Sequence, residues 1–129
     1  RTAMKQSTYF VYMLRCKDQS IYTGIATDLT KRMEEHFGKL PSCAKYTMRH
    51  DAEKLECAWQ TENRSLASKL EWRIKHLAKK DKEILIQKRS AFKQQFETYF
   101  EGKDFRRLTK QELKKYWQDT CTFSKKAVQ

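Results

Sequence analysis

Two tyrosines and a glycine near the start of the chain are residues whose types and spacing could serve catalysis. Tyr12 lies in the middle of one predicted strand, and Tyr22 lies on the returning strand just before Gly24. Paired strands can bring two phenols to hydrogen-bonding distance, and a glycine beside them lets a phosphate or another backbone segment approach closely. The alternative is cross-strand aromatic packing, which is common in hairpins and is favoured when these residues are taken alone.

Arg32 and His36 are a second chemical pair, spaced four residues apart on a predicted short helix. Their side chains therefore share one face, next to the apolar stripe of the helix. An arginine there can hold a phosphoryl oxygen through paired hydrogen bonds, and a histidine can transfer a proton. The alternative for Arg32 is a solvated ion pair with Glu35 or Asp28.

Glu71 is the carboxylate best placed to bind a metal ion. It lies one residue from the apolar face of a later predicted helix, flanked by Lys69, Arg73 and Lys75. One carboxylate among cations can be the single protein ligand of a hard divalent metal that takes its other ligands from water and phosphate. An i, i+4 ion pair with Lys75 is the alternative, and spacing alone favours it.

The residues before Gly38 predict a hairpin and a short helix that would position the first four of these side chains. Residues 9–15 are aromatic and β-branched, residues 17–20 have turn composition, and residues 21–25 return as a strand. Asp28 occupies the N-cap position of a helix whose apolar residues recur every four positions, and Gly38 follows its end.

The next segment predicts a third strand and a helix that carries Glu71. Residues 39–53 are polar and basic, and we interpret them as a loop. Alternation between polar and apolar residues over 55–59 predicts a strand, and Asn63 or Ser65 then caps a helix that is expected to run, bent or interrupted, through residue 85. This order predicts an α+β fold in which a small, mainly antiparallel three-stranded sheet is flanked by helices.

The last third of the chain predicts a basic, aromatic helical extension. From Lys88 onwards there are 11 Lys and Arg residues against 5 Asp and Glu. Thr109 and Glu112 have the spacing of a capping box ahead of a helix. We therefore divide the chain into a domain at 8–87 and an extension at 88–129 that packs on it or continues it. Phe92, Phe96, Tyr99 and Phe100 fall at helical spacing, and core packing is favoured for the three phenylalanines among them.

The charge of the chain indicates a polyanionic partner. The formal net charge is +12 and the pI is about 9.6, which favours nucleic acid first and an anionic membrane surface second. No run approaches the roughly 20 apolar residues of a membrane span, and residues 1–8 lack an apolar signal core, so we expect a cytoplasmic protein and no membrane. The four cysteines form no CxxC pair and have no histidine at finger spacing, which favours free packing thiols over zinc ligands or disulfides.

The order and spacing of these residues resemble the GIY-YIG nuclease superfamily, and especially its small single-domain bacterial members. Residues 10–12 (FVY) stand where the GIY triplet belongs, and residues 22–24 (YTG) stand where YIG belongs. Residues 28–36 (DLTKRMEEH) match the family's helix with its arginine and histidine. The segments CAKYTMRH and SLASKLEWRIKHLAKKDKEILI resemble a loop of the small members and the helix with the metal-binding glutamate, so that the resemblance covers about residues 8–87.

The resemblance implies an endonuclease that hydrolyses phosphodiester bonds with one divalent metal ion, Mg²⁺ or Mn²⁺. Tyr12 would act as general base towards the attacking water, with Tyr22 and His36 as helpers in the same cluster. Arg32 would stabilise charge in the transition state, and Glu71 would bind the metal. DNA is favoured over RNA, and single strands or branched ends in DNA repair or processing are the favoured targets. The residues expected to contact nucleic acid are Gly24, Lys45, Tyr46, Thr47, Arg49 and Lys75.

The chain departs from the family's pattern in four places. Phe10 replaces the first glycine of GIY, and Thr23 replaces the middle residue of YIG, as in the small members. Larger relatives carry a lysine or serine where this chain has Ile25, and they carry an asparagine beyond the glutamate, whereas the only asparagine here is Asn63. Two alternatives stay open on the residues alone. One is a nucleic-acid-binding module without catalysis, and the other is a protein-interaction module that binds its partner through the extension.

Overall fold

The fold is built on an antiparallel sheet flanked by helices. A computed structural model describes residues 7–38 and 45–116, without the side chains of residues 45 and 46. Its strands are β1 (Tyr9–Cys16), β2 (Ile21–Ala26), β3 (Ala52–Thr61) and β4 (Arg106–Arg107), in the order β2-β1-β3-β4. The predicted α+β class is confirmed. The two-residue strand β4, which pairs with the end of β3, was not predicted from the sequence.

The hairpin of β1 and β2 has the register that the site needs. Asp18 accepts hydrogen bonds from the backbone and the hydroxyl of Ser20, which closes the turn, and Gln19 has a φ of 72° there. In this register Tyr12 pairs with Gly24. Strand β2 is at the edge of the sheet, so the Tyr12 side chain, which crosses Gly24, reaches this edge. Helices on both faces of the sheet can approach the tyrosine there.

The helices that carry the expected site residues begin where the sequence predicts. Helix α1 (Leu29–Gly38) is capped by Asp28, whose carboxylate accepts a hydrogen bond from the backbone amide of Lys31 at 3.0 Å. Helix α3 (Arg64–Lys75) is capped by Asn63. The expected continuation is interrupted after His76, and a separate helix α4 (Lys79–Gln87) follows.

The interpretation of residues 39–53 as a loop is wrong in its second half. A five-residue helix α2 (Lys45–Arg49) lies there, and β3 begins at Ala52, before the alternating residues that predicted it. So short a helix has almost no intrinsic stability, and tertiary contacts such as that of the buried Thr47 hold it instead. The local pattern therefore contained little signal for it.

Two hydrophobic clusters cover the two faces of β1. Tyr12 and Leu14 belong to the cluster that includes Leu29 and Met33 of α1. Val11 and Met13 belong to the other cluster, which contains the buried residues of α3. That cluster also contains four residues from beyond Lys88, namely Ala91, Phe96, Phe100 and Phe105, which confirms core packing for Phe96 and Phe100.

The C-terminal elements also continue the sheet and its helical cover. Helix α5 (Ser90–Phe96) precedes β4, and residues 110–116 are helical. The expected capping box is present, because Thr109 and Glu112 exchange backbone-to-side-chain hydrogen bonds of 2.8 and 3.1 Å. Cys16 and Cys57 are free and buried, whereas Cys43 and Cys121 lie outside the described residues. In the described part, no helix is both long and apolar enough to cross a membrane.

Removing residues 88–129 is expected to abolish cooperative folding, although we predicted from the sequence that the domain ends at residue 87. Each buried phenylalanine contributes about 1.5–3 kcal/mol, so the loss of three rings is comparable with the whole stability of a small domain, about 5–15 kcal/mol. Circular dichroism and thermal melting would measure this against a chain ending after Tyr116, which retains those rings. A chain ending at Gln87 that melts cooperatively and only binds DNA more weakly would instead make the extension a DNA clamp.

Candidate active site

Tyr12 is the centre of a buried polar cluster at the rim of the sheet. Its side chain has no solvent exposure, and its ring lies across the backbone of Gly24, beside Tyr22. A Cβ atom added to Gly24 would lie 2.5 Å from Tyr12 Oη and 3.0 Å from a ring carbon of Tyr22. Only glycine leaves room for the phenol at this position, so the YTG triplet is explained by close approach and not by backbone angles.

A chain of hydrogen bonds runs from Tyr12 through His36 to Thr47. Tyr12 Oη lies 2.7 Å from His36 Nε2, and His36 Nδ1 lies 2.7 Å from Thr47 Oγ1. Burial, assisted by the positive charge of Arg32, lowers the pKa of His36 to about 3, so the imidazole is neutral at neutral pH. A neutral imidazole has one N–H. If that proton is on Nδ1 and is donated to Thr47, Nε2 is free to accept the hydroxyl proton of Tyr12.

Arg32 joins this cluster from the same helix as His36. Its Nε lies 3.4 Å from Tyr12 Oη, and one of its terminal nitrogens forms an ion pair of 2.8 Å with Glu35. The ion-pair alternative for Arg32 is therefore present in the structure, whereas its expected binding of a phosphoryl oxygen stays a prediction. Its side chain is 24% exposed, which leaves part of the guanidinium accessible to an incoming phosphate.

The environment of Tyr12 favours its protonated form. Burial is the largest influence and raises the pKa of Tyr12 well above its usual value. Electrostatic interactions with Tyr22 and Glu71 raise this pKa further, whereas the hydrogen bond and charge of Arg32 lower it. A stable phenolate at neutral pH is therefore disfavoured in the free protein.

Glu71 and Lys75 approach the tyrosines from α3, on the other side of the sheet rim. The two form an i, i+4 ion pair of 3.2 Å, and Lys75 Nζ lies 5.9 Å from the centre of the Tyr22 ring. Glu71 is close enough to influence the pKa of Tyr12 electrostatically, and its side chain is 25% exposed. In residues 7–38 and 45–116, no three His, Cys, Asp or Glu residues form a group that could hold a metal ion. A single accessible carboxylate fits a divalent ion that is ligated mainly by water and phosphate.

A cleft of about 620 Å³ opens beside Arg32. Lys31 and Glu35 line it from α1, and Arg64 and Ser68 line it from α3. Arg64, Ser68 and Glu71 are spaced four and three residues apart, so they share one face of α3. This spacing is visible in the sequence, yet we did not single out Arg64 or Ser68 from it.

The remaining residues that were expected to contact nucleic acid differ in their exposure to solvent. Gly24 is buried under the phenol, and Thr47 is buried as the partner of His36, so Thr47 supports the histidine and does not line a groove. Arg49 is exposed at the end of α2. The side chains of Lys45 and Tyr46 lie outside the described part of the chain.

Gly24→Ala is expected to reduce any cleavage activity about a hundredfold or more, because a shift of about 1 Å in a catalytic group costs about that factor. The new methyl group would displace the Tyr12 hydroxyl from His36. Gly102→Ala is the matched control, since nothing lies within 4 Å of a Cβ at that glycine. Normal cleavage rates for Gly24→Ala would mean that the position of the Tyr12 hydroxyl is unimportant for the reaction.

Comparison with known proteins finds one domain family and several of its small bacterial members. The family model described as the GIY-YIG catalytic domain matches residues 8–84. The chain is 48% identical over 84 residues to the UPF0213 protein FN1575 of Fusobacterium nucleatum. The matched region covers 65% of this chain and 82% of that protein. The chain is 38% identical, over the same shares of both chains, to the UPF0213 protein YhbQ of Salmonella typhimurium. A solution NMR structure of the UPF0213 protein BH0048 from Bacillus halodurans is 36% identical and matches with a TM-score of 0.41, over 61% of this chain and 82% of that one.

Proposed function

The chain belongs to the GIY-YIG family, and from this premise we propose that it is a metal-dependent endonuclease that hydrolyses phosphodiester bonds, in DNA rather than RNA. The observation that carries the proposal is the arrangement around Tyr12. A buried phenol is hydrogen-bonded to a neutral histidine, contacted by an arginine that reaches solvent, and close to one accessible carboxylate. A binding surface has no need of such an arrangement, whereas hydrolysis of a phosphodiester needs a proton acceptor, a cation and a metal ligand.

Arg32 binds the phosphate that is to be cut. Its guanidinium is positioned between Tyr12 and the cleft shared with Arg64, so a phosphate entering the cleft meets positive charge before it reaches the phenol. Charge develops on the phosphate oxygens as water attacks, and a fixed guanidinium stabilises that charge more strongly in the transition state than in the ground state.

Tyr12 accepts a proton from the attacking water while its own hydroxyl proton passes to His36 Nε2. This transfer avoids a free phenolate, which the raised pKa of Tyr12 disfavours. Burial is the main cause of the low pKa of His36 and the charge of Arg32 adds to it, so a phosphate that offsets this charge makes His36 a better proton acceptor than it is in the free protein. Tyr12 is wholly buried in the free protein, so water reaches its hydroxyl only after neighbouring side chains have moved.

Glu71 would hold the divalent ion, Mg²⁺ or Mn²⁺, for which the single carboxylate is suited. Bound there, such an ion supplies positive charge that polarises the phosphate and stabilises the leaving oxygen. Lys75 neutralises Glu71 in the absence of an ion, and 47% of its side chain is exposed, so it can move away when the ion binds. Lys75 then becomes available to a neighbouring phosphate.

A nucleic-acid-binding module without catalysis is the second candidate. The ion pair between Glu71 and Lys75 and the raised pKa of Tyr12 favour it, because both hold the free protein in an inactive form. The net charge of +12 supports binding in either case.

Cleavage of a panel of labelled substrates would separate the two candidates. Purified protein is incubated with Mg²⁺ or Mn²⁺ and, in turn, single-stranded DNA, duplex DNA, a branched DNA and RNA. Cleavage that requires the metal supports the endonuclease, and the preferred shape identifies the substrate. Tight, salt-sensitive binding without cleavage in either metal would establish the binding module instead.

A further inference from the structure

An exposed tryptophan stands directly beside the metal-binding candidate on α3. Trp72 follows Glu71 in the sequence, and 57% of its surface is exposed. Burying an aromatic side chain stabilises a fold by about 1.5–3 kcal/mol, so an exposed indole contributes little to this one. Tyr99, which is 54% exposed, and Met48 are the other large hydrophobic residues that are exposed in the described part of the chain.

The indole of Trp72 is held in a defined orientation. The His76 ring stacks on it with centroids 3.9 Å apart and an angle of 25° between the planes. His76 Nδ1 donates a hydrogen bond of 2.7 Å to the backbone oxygen of Trp72, which fixes the imidazole in this position. A ring that is already ordered loses little conformational entropy when a second flat group stacks on it.

Basic residues lie near the ring along α3. Helix α3 carries four Lys and Arg residues and one acid, Glu71. Arg73 lies beside Trp72, and its guanidinium is 3.3 Å from the centre of the Tyr99 ring. Ser68 and Lys75 are the helical neighbours of Trp72 at i−4 and i+3, and they belong to the cleft and to the Glu71 ion pair respectively. The ring therefore borders the path along which a phosphate backbone would cross the site.

We propose, on the basis of the nuclease function inferred above, that Trp72 stacked on His76 is a platform for an unpaired nucleobase of the substrate. Interleaved rings and cations are typical of surfaces that bind single-stranded nucleic acid, because stacking holds the bases and the cations hold the backbone. Bases inside a duplex are stacked on each other and cannot offer a face to the indole. The platform therefore selects single strands, or the unpaired part of a branched molecule, next to Glu71.

Binding of a labelled oligothymidylate and of a blunt-ended duplex without a loop to the full chain, without divalent metal, tests the platform. Trp72→Ala should weaken binding of the single strand by about 5- to 150-fold, the range that stacking contributes, and should leave duplex binding unchanged. Trp72→Phe keeps a ring and should retain most of the affinity. The slope of affinity against salt should not change in either variant, because stacking releases no counterions.

Lys69→Ala is the matched control on the same helix, and it should weaken both substrates and reduce the salt slope by about one ion. Equal losses for single strand and duplex in Trp72→Ala, or no loss, would overturn the platform, as would a Trp72→Phe variant as weak as Trp72→Ala. Self-association of the wild type that disappears in Trp72→Ala, with nucleic-acid affinity unchanged, would assign the ring to a contact between copies and would also overturn it.

The binding and cleavage measurements test the platform and the endonuclease separately. A wild-type protein that cuts nucleic acid while Trp72→Ala binds normally would remove the platform and leave the endonuclease. A wild-type protein that never cuts, but binds single strands through Trp72, would remove the endonuclease and leave the platform.

Discussion

Glu71→Gln is expected to reduce metal-dependent cleavage about a thousandfold or more, since metal ions in such sites contribute several kcal/mol to transition-state stabilisation. The substitution keeps the shape of the side chain and removes the charge that would hold the ion. Folding should be little affected, because the ion pair with Lys75 is partly exposed and ion pairs near the surface contribute only about 0–1 kcal/mol. Affinity for nucleic acid measured without metal should be equal or higher, because the site has lost a negative charge.

Three measurements on the same variant separate metal binding from other effects: single-turnover cleavage, thermal melting and binding without metal. Glu53→Gln is a suitable control, because Glu53 is exposed on β3 and the change in charge is the same. If Glu71→Gln still cuts at a near-normal rate, Glu71 is not the metal ligand. If binding is lost together with cleavage, Glu71 has a structural role that its partial exposure does not suggest.

The elements that carry the site were predictable because their signals are local. Asp28 and Asn63 mark the starts of α1 and α3, and both accept the backbone hydrogen bonds that an N-cap predicts. The two strands of the hairpin have strong composition signals and a short turn, so the register of Tyr12 with Gly24 follows from little more than the turn length. The short distances between the expected catalytic residues then depend on how α1 and α3 pack around an edge strand.

The details that determine the chemistry were not predictable, because they are tertiary. No pattern in residues 39–53 indicates that Thr47 is buried against His36, since α2 is too short to show periodicity. Likewise, the aromatic and β-branched run around Tyr12 predicts a strand, but not that the hydroxyl lies against the backbone of Gly24. The burial that comes with these contacts is the main reason why the pKa of His36 is lowered and that of Tyr12 is raised. The basis for proton transfer therefore became clear only in three dimensions.

Tyr12→Phe should lower the rate of cleavage by about 10²–10⁴-fold, the usual contribution of a general base. The ring and its packing remain, but the oxygen between Arg32 and His36 is removed. Leaving a buried polar group without its partner costs about 1–3 kcal/mol, so thermal stability should fall measurably while the fold persists. Single-turnover rates at saturating metal, with circular dichroism for the fold, would measure both effects.

Tyr22→Phe is the variant that tests whether Tyr12 is the base or only supports it. Tyr22 is half-buried and lies next to Lys75, so it is the phenol of the pair that has access to solvent in the free protein. If Tyr12 is the base, Tyr22→Phe perturbs only the geometry of the cluster and should cost much less than Tyr12→Phe. If the order of the two effects is reversed, Tyr22 accepts the proton from water, and Tyr12 and His36 only hold the Tyr22 ring in position. In that case His36→Gln would have a small effect on the rate of the chemical step. If Tyr12 instead transfers its proton directly to His36, His36→Gln should slow cleavage about as much as Tyr12→Phe, because both variants interrupt the same transfer.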